Sequence, residues 1–224
     1  MKMEIFRSTT DAFVNASDCV LRLLNTDTSA NTNQTSLQFT TSTTGSGADS
    51  AIVSQAEDAS GNSRLEFWTD TSNGMTEKMA ITSAGHVTTP SQPYCMLGKS
   101  SAQSIPNTSS TKITFSETVD RGGNFDTSNS RFTAPIAGDY LVALIVQYTQ
   151  NVNQCHAGIW KNGGTLGANF DSWVNWGDDT RAAVITVVLN LAASDYIEGY
   201  TYQSTSGAMT LEASRTKMTI RFLG

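Results

Sequence analysis

Gly138-Asp139-Tyr140-Leu141-Val142-Ala143-Leu144-Ile145-Val146 is the stretch whose reading decides the fold. Side chains of a β-strand alternate between two faces, so Tyr140, Val142, Leu144 and Val146 point one way and Leu141, Ala143 and Ile145 the other. An antiparallel strand with one face in water carries polar residues at every second position. This one does not. The run 184–191 behaves similarly, with Val184 and Val188 on one face and Ile185, Val187, Leu189 and Leu191 on the other. Strands apolar on both faces need a cover on the outer side. The chain offers no convincing amphipathic helix for that part, so the pattern predicts a subunit interface. Tyr140, Val142, Leu144, Val146, Val184 and Val188 are therefore candidate core or interface positions.

Outward from this stretch, strands are expected at 113–115, 131–133, 140–149, 156–161, 182–191, 196–202 and 218–223, with 100–110 as a loop or edge region. Regular strand spacing without helical periodicity predicts a two-sheet sandwich over residues 94–224. Composition agrees. Ser and Thr fill 57 of 224 positions, Gly another 17, and charged residues only 15%. Thr favours strands and Ser and Gly favour turns, so the expected class is all-β.

The net charge is −6, of which residues 1–93 hold −5 (5 basic, 10 acidic) and residues 94–224 hold −1 (9 basic, 10 acidic). Without a Lys/Arg cluster, phosphate-backbone binding lacks its electrostatic footprint, and nucleic acid is excluded as an expected partner. Cys19, Cys95 and Cys155 are odd in number and far apart, which suits buried thiols better than a disulfide framework or a zinc site. No run of 18 apolar residues and no signal-peptide core is present, so membrane insertion and secretion by the usual route are not expected.

Residues 1–18 carry two apolar clusters, Ile5-Phe6 and Phe13-Val14, and read as a segment that docks on a larger assembly or as a frayed tail. Residues 19–93 hold short strand-like runs at 20–24, 36–39, 51–53, 64–68 and 78–82, separated by Thr, Ser, Gly and Asn. Asn73-Gly74 and Ala84-Gly85 fall where hairpin turns belong, and Pro90 and Pro93 mark a boundary. The expected organisation is 1–18, 19–93 and 94–224.

Two family resemblances attach to these residues. Phe125-Asp126, Arg131-Phe132-Thr133-Ala134-Pro135 and Gly138-Asp139-Tyr140, followed by the turn Trp160-Lys161-Asn162-Gly163, the 183–198 segment and the closing Met218-Thr219-Ile220-Arg221-Phe222-Leu223-Gly224, resemble the jelly-roll head of the complement and tumour necrosis factor superfamily. Leu23-Leu24-Asn25-Thr26-Asp27, Leu37-Gln38-Phe39, Leu65-Glu66-Phe67 and Thr76-Glu77-Lys78-Met79-Ala80-Ile81-Thr82-Ser83-Ala84-Gly85-His86-Val87 resemble a module of tailed-bacteriophage fibres and appendages. In place of that module's Gly-rich sequel stands Thr88-Thr89-Pro90. Both resemblances imply a homotrimer and a recognition role.

Catalytic constellations are scarce. Cys155 and His156 are adjacent on a strand and point to opposite faces, so they form no nucleophile–base dyad. Asp171, Asp178, Asp179 and Asp195 could serve glycoside hydrolysis only if two of them converge, and nothing in the spacing requires that. The chain therefore reads as non-enzymatic. Complement-type heads sometimes hold calcium between subunits, but no EF-hand spacing occurs and no metal or cofactor is assigned.

Residues 169–180 are the leading candidate binding surface, expected as a long inter-strand connection. Trp173 and Trp176 offer aromatic faces to a pyranose, while Asn175, Asp178 and Asp179 offer hydrogen bonds to its hydroxyls; the alternative is that both Trp pack at an interface. Tyr200 and Tyr202 could contribute in the same manner. The expected function is a trimeric virion appendage, a short tail fibre or spike, adhering multivalently to a host-surface glycan or outer-membrane component. The alternative is a capsid decoration protein or head fibre. In either, Ile5, Phe6, Phe13 and Val14 would dock on tail or capsid proteins.

Overall fold

The computed structural model describes residues 2–5, 21–25, 33–40, 49–71, 74–166, 171–175 and 181–224. Every regular element among them is a β-strand. The chain divides into two units, Met1–Ser91 and Gln92–Gly224.

In the first unit, β1 (Lys2–Ile5) pairs antiparallel with β2 (Leu21–Leu24), Lys2 standing opposite Leu24. Ile5, of the segment expected to dock, thus lies on a strand paired with the segment that follows, opposite Leu21. Phe6, Phe13 and Val14 lie outside the described residues. Strands β3 (Gln34–Thr40), β4 (Asp49–Ala56), β5 (Ser63–Thr71), β6 (Gly74–Ile81) and β7 (Val87–Thr88) then form an antiparallel meander in chain order. Gly85, at φ +80°, lets the β6–β7 turn close with its amide on the Thr82 carbonyl (2.9 Å), a backbone state that side-chain-bearing residues rarely adopt. Ala51, Val53, Glu66 and Ala80 are buried on one face of this sheet. There the Trp68 indole N–H donates to Glu66 at 2.5 Å, and Arg64 pairs with the same carboxylate.

The second unit contains β8 (Tyr94–Gly98), β9 (Gln103–Ile105), β10 (Thr111–Lys112), β11 (Ser116–Arg121), β12 (Phe125–Asp126), β13 (Arg131–Thr133) and β14 (Gly138–Gln147). It continues with β15 (Gln154–Lys161), β16 (Gly164–Thr165), β17 (Asp171–Asn175), β18 (Ala182–Leu191), β19 (Tyr196–Gln203), β20 (Met209–Leu211) and β21 (Lys217–Phe222). One sheet runs β11-β8-β21-β14-β18. The other runs β12-β13-β19-β15-β16, with β10 also on β19 and β17 also on β15. The long strands cross repeatedly between the sheets, β13 to β14 to β15 and β17 to β18 to β19 to β21, which is the winding of a jelly roll.

The core lies between these two sheets. Tyr140, Val142, Leu144 and Val146 are wholly buried, together with Leu97, Phe132, Ile159, Ile197, Met218 and Ile220. Each such aliphatic side chain stabilises the fold by roughly 1.5–3 kcal/mol relative to exposure. The Tyr140 ring meets Phe132 and Phe222 edge-on, with centroids 5.9 and 5.1 Å away, while its hydroxyl donates to the Ile136 carbonyl at 2.8 Å. A large apolar ring is thus buried without orphaning its polar tip. The chain end closes beside it: the Asp139 amide donates to the Gly224 carbonyl, and the Leu223 amide to that of Asp139, both at 2.8 Å.

Two sequence expectations are corrected. Residues 113–115 form no strand; the strand ends at Lys112, the Ile113 amide still donates to the Gly199 carbonyl at 2.9 Å, and Ile113 and Phe115 turn into the core, with the Phe115 amide donating to the Ser130 hydroxyl. The 100–110 region, expected as a loop or edge, contains β9, which pairs with β20 in a two-stranded sheet of its own. The 169–180 connection contains β17, which pairs with β15 from Gln154 opposite Asn175 to Gly158 opposite Asp171.

Candidate functional site

The sandwich presents two outer faces of different chemistry. On β14, Leu141, Ala143 and Ile145 alternate outward from the buried set, and on β18 so do Val184, Thr186 and Val188. The register sets them side by side, with Leu141 opposite Val188, Ala143 opposite Thr186, and Ile145 opposite Val184. On the other flank Ala143 stands opposite Thr219, which stands opposite Met96. Val184 and Val188 are each 52% exposed and Ile145 38%. The six interface-or-core positions therefore separate: Tyr140, Val142, Leu144 and Val146 are core, and Val184 and Val188 are surface. The face runs across four strands and is apolar at its centre.

The opposite sheet is aromatic and charged. Along β19, Ile197, Gly199, Thr201 and Gln203 face the core, and Tyr196, Glu198, Tyr200 and Tyr202 take the other side. Trp160 of β15 stacks on Tyr200 with centroids 3.7 Å apart and planes 11° from parallel. The Arg131 guanidinium lies 3.8 Å from the Tyr196 ring centroid, a cation–π contact. Glu198, only 3% exposed, sits among these rings and accepts from Lys112 and Arg131, both at 3.2 Å. Two cations on one sunken carboxylate satisfy the requirement that buried charge be paired.

The edge of this face is fixed by the β15–β16 hairpin. Asn162 and Gly163 both have positive φ, 51° and 77°, the geometry of a two-residue type I′ turn and the reason for Asn-Gly there. The Asn162 side chain donates to Asp195 at 2.7 Å and accepts from the Tyr196 amide at 2.9 Å. Lys161 pairs with Asp195 at 2.6 Å. Lys161, then Asn162, hold the Asp195 carboxyl well down, at about 2. The turn is thereby pinned to the start of β19, which keeps Trp160 over Tyr200.

Of the residues proposed to touch a glycan, Trp173 and Asn175 lie on β17, opposite His156 and Gln154. Trp176, Asp178 and Asp179 lie outside the described residues. Sequence reading missed Trp160 and Glu198 as members of one surface with Tyr200. The available signal was the alternation Tyr196, Glu198, Tyr200, Tyr202 on a strand whose other side is small or apolar. Cys155 is buried and its thiol pushed up to about 12 by burial, and His156 falls on the opposite side of β15. Among the described residues no group of three or more His, Cys, Asp or Glu side chains is placed to hold a metal.

No protein-family profile and no curated protein matches the chain. Solved structures similar to it include murine APRIL at pH 8.5, with 15% identity over 59% of this chain and 99% of that one (TM-score 0.46). They also include the Eiger TNF of S. frugiperda, at 8% identity over 59% and 94% (TM-score 0.46). The globular domain of the zebrafish complement 1qA protein matches at 10% identity over 59% and 98% (TM-score 0.47).

Proposed function

We propose that this chain is the subunit of a homotrimeric appendage of a tailed-phage virion, a short tail fibre or spike that adheres to a host-surface glycan. The observation that carries the reading is the apolar outer face of β14 and β18, where Ile145, Val184 and Val188 stand exposed side by side. Contiguous exposed apolar surface on a soluble domain marks an interaction site. Association of three copies through that face covers it, and the count of three follows from the jelly-roll heads that the sequence resembles.

The aromatic sheet then faces away from the contact. Trp160, Tyr196, Tyr200 and Tyr202 supply ring surface for the C–H side of a sugar, and Arg131 and Lys112, held in place by the buried Glu198, supply polar partners. Trp173, Asn175, Trp176, Asp178 and Asp179 extend this candidate surface. Sites of modest affinity on a three-headed particle gain avidity through effective concentration, without new contacts. The N-terminal residues Ile5, Phe6, Phe13 and Val14 are the proposed attachment to other virion proteins.

The test is binding of the purified chain to host cells, with free host oligosaccharide as competitor. Trp160→Ala combined with Tyr200→Ala lowers binding while leaving the native mass unchanged. Full binding by that variant, together with Trp173→Ala and Trp176→Ala, contradicts a glycan site on this sheet. Electron microscopy of labelled particles locates the chain: label on the tail supports the adhesin, and label on the capsid shifts the role to shell decoration.

A further inference from the structure

A cleft of about 310 Å³ opens at the β12–β13 flank of the aromatic sheet. Asn124 and Asp126 line it from β12 and its approach, Thr133 and Pro135 from the end of β13, and Ser194 from the turn before β19. Its volume falls at the lower end of the range for small-molecule sites. Backbone hydrogen bonds fix the frame. The Thr133 amide donates to the Asn124 carbonyl at 2.9 Å, and the Ala134 amide to Asp195 and the Ser194 amide to Ala134, both at 2.8 Å. The cleft is therefore formed before a ligand arrives, and binding there has no loop to order.

Its groups suit a sugar ring. Asp126 Oδ1 accepts from the Ser128 amide, the Ser128 hydroxyl and the Asn129 amide at 2.9, 2.6 and 3.2 Å, whereas among the described residues Oδ2 accepts from the Asn129 side chain alone. A carboxylate oxygen takes about two hydrogen bonds, so Oδ2 keeps a lone pair to offer. Ser128, then Asn129, hold this carboxyl down at about 2, and it stays an anion at any neutral pH. The Thr133 and Ser194 hydroxyls engage no other described residue. Pro135 adds an apolar edge. Sugar hydroxyls, which both donate and accept, match this set. A second carboxylate would be repelled by Asp126, and the neighbouring cation Arg131 is already committed to Glu198 and to the Tyr196 ring.

The cleft continues the aromatic surface. Phe125, Phe132 and Ile197 stand in register and face the core, so their neighbours Asp126, Thr133 and Tyr196 share the outer side. Asp126 stands opposite Arg131, and Thr133 opposite Tyr196. From Trp160 on β15 across β19 and β13 to Asp126 on β12 is three strand spacings, roughly 14 Å. A short oligosaccharide laid over the rings reaches the cleft with its end. We infer that the cleft holds the terminal residue of the bound glycan, and that this residue is a neutral hexose. The inference rests on the glycan reading of the aromatic sheet. The rings then supply contact area, while Asp126, Thr133 and Ser194 select the sugar.

Saturation-transfer NMR on the full chain tests this, with the methyl pyranosides of glucose, galactose and mannose and with methyl glucuronide as probes. At least one neutral glycoside is expected to bind at millimolar concentration, and the glucuronide is not. Thr133→Val combined with Ser194→Gly removes two hydroxyls with little change of shape. Ser194 sits at φ +72°, which glycine adopts without strain, so the melting temperature should hold or rise. Ser194→Gly alone replaces the pair if circular dichroism shows the pair misfolded. The variant should bind the same glycoside about tenfold more weakly. Glucuronide bound as well as the neutral sugars, or neutral binding untouched by the variant, overturns the inference. No signal from any monosaccharide, in a chain whose host-cell binding is lost with Trp160→Ala and Tyr200→Ala, also overturns it and leaves the glycan reading standing. Glycoside binding lost in the cleft variant, with host-cell adhesion indifferent to Trp160 and Tyr200, supports the cleft and removes the aromatic surface. Silence with every sugar, and no competition by host oligosaccharide, overturns both.

Discussion

Ile145 of β14 stands directly opposite Val184 of β18, and both side chains point away from a core that their neighbours Leu144 and Ile185 enter. The pair is exposed in the single chain, so its interest is what it would exclude from water in the proposed oligomer. Covering a side chain already half buried yields about half of the roughly 1.5–3 kcal/mol available to a full Val or Ile burial. Several such residues per subunit, repeated by symmetry, sustain a stable oligomer.

Val184→Glu, alone or with Val188→Glu, is expected to dissociate the protein. In the monomer these positions face solvent, and surface substitutions of this kind shift stability by only about 0.5 kcal/mol. In an apolar contact, an unpaired carboxylate costs several kcal/mol. Analytical ultracentrifugation with circular dichroism separates the two effects: loss of mass with an unchanged strand signal is the predicted outcome. Loss of both would mean that the residues serve the fold.

The Trp160–Tyr200 stack makes a second prediction through a double-mutant cycle. Trp160→Ala and Tyr200→Ala each destabilise, and their combination costs less than the sum by about 0.5–1.5 kcal/mol, the coupling typical of an aromatic pair beyond its buried area. Denaturant midpoints of the four proteins give the number. Strict additivity would show that the rings do not interact in solution.

Asp195 gives a pH dependence with a defined sign. Its folded carboxyl is held at about 2 by Lys161 and Asn162, below the unfolded value near ~3.9, so the stabilisation is complete above that unfolded value. It fades as pH falls through the folded value. Comparing thermal midpoints of the native chain with Asp195→Asn should show a gap that is constant at neutral pH and closes between about pH 4 and 2. A gap independent of pH contradicts the Lys161–Asp195 pairing.

Gly138→Ala tests the closing of the chain end. Gly138 has φ +148°, and a Cβ there would come within 2.6 Å of the Gly224 carbonyl oxygen and 2.7 Å of the Phe222 ring. Backbone strain and overpacking together cost about 1–3 kcal/mol. Increased exchange of the Asp139 and Leu223 amides should accompany a lower melting temperature, since both bonds belong to this closure.

The strands were legible wherever a run of apolar and β-branched residues is bounded by turn formers, because the composition of a short run is a local property. β14, β18 and β21 lie close to their expected bounds for that reason. β17 was not legible: Trp173-Val174-Asn175 sits amid turn-forming Asn, Gly and Asp, and only the open edge of β15 recruits it into the sheet. Ile113 and Phe115 alternate like a strand, yet they enter the core from an irregular segment. The Trp160–Tyr200 contact was hidden because it depends on register: Trp160 stands opposite Glu198, and Tyr200 lies two residues further along. Likewise, alternation in β3–β5 announced strands but could not say which of their faces stays bare. For β1, no local signal pointed to Leu21–Leu24 as its partner.

The central claim is self-association through the outer face of β14 and β18, and the native mass of the unmodified full chain at micromolar concentration tests it most directly. Light scattering coupled to size exclusion should return three times the chain mass, falling to one chain mass for Val184→Glu. A single chain mass for the unmodified protein, with the 141–145 and 184–188 side chains open to labelling, would contradict it.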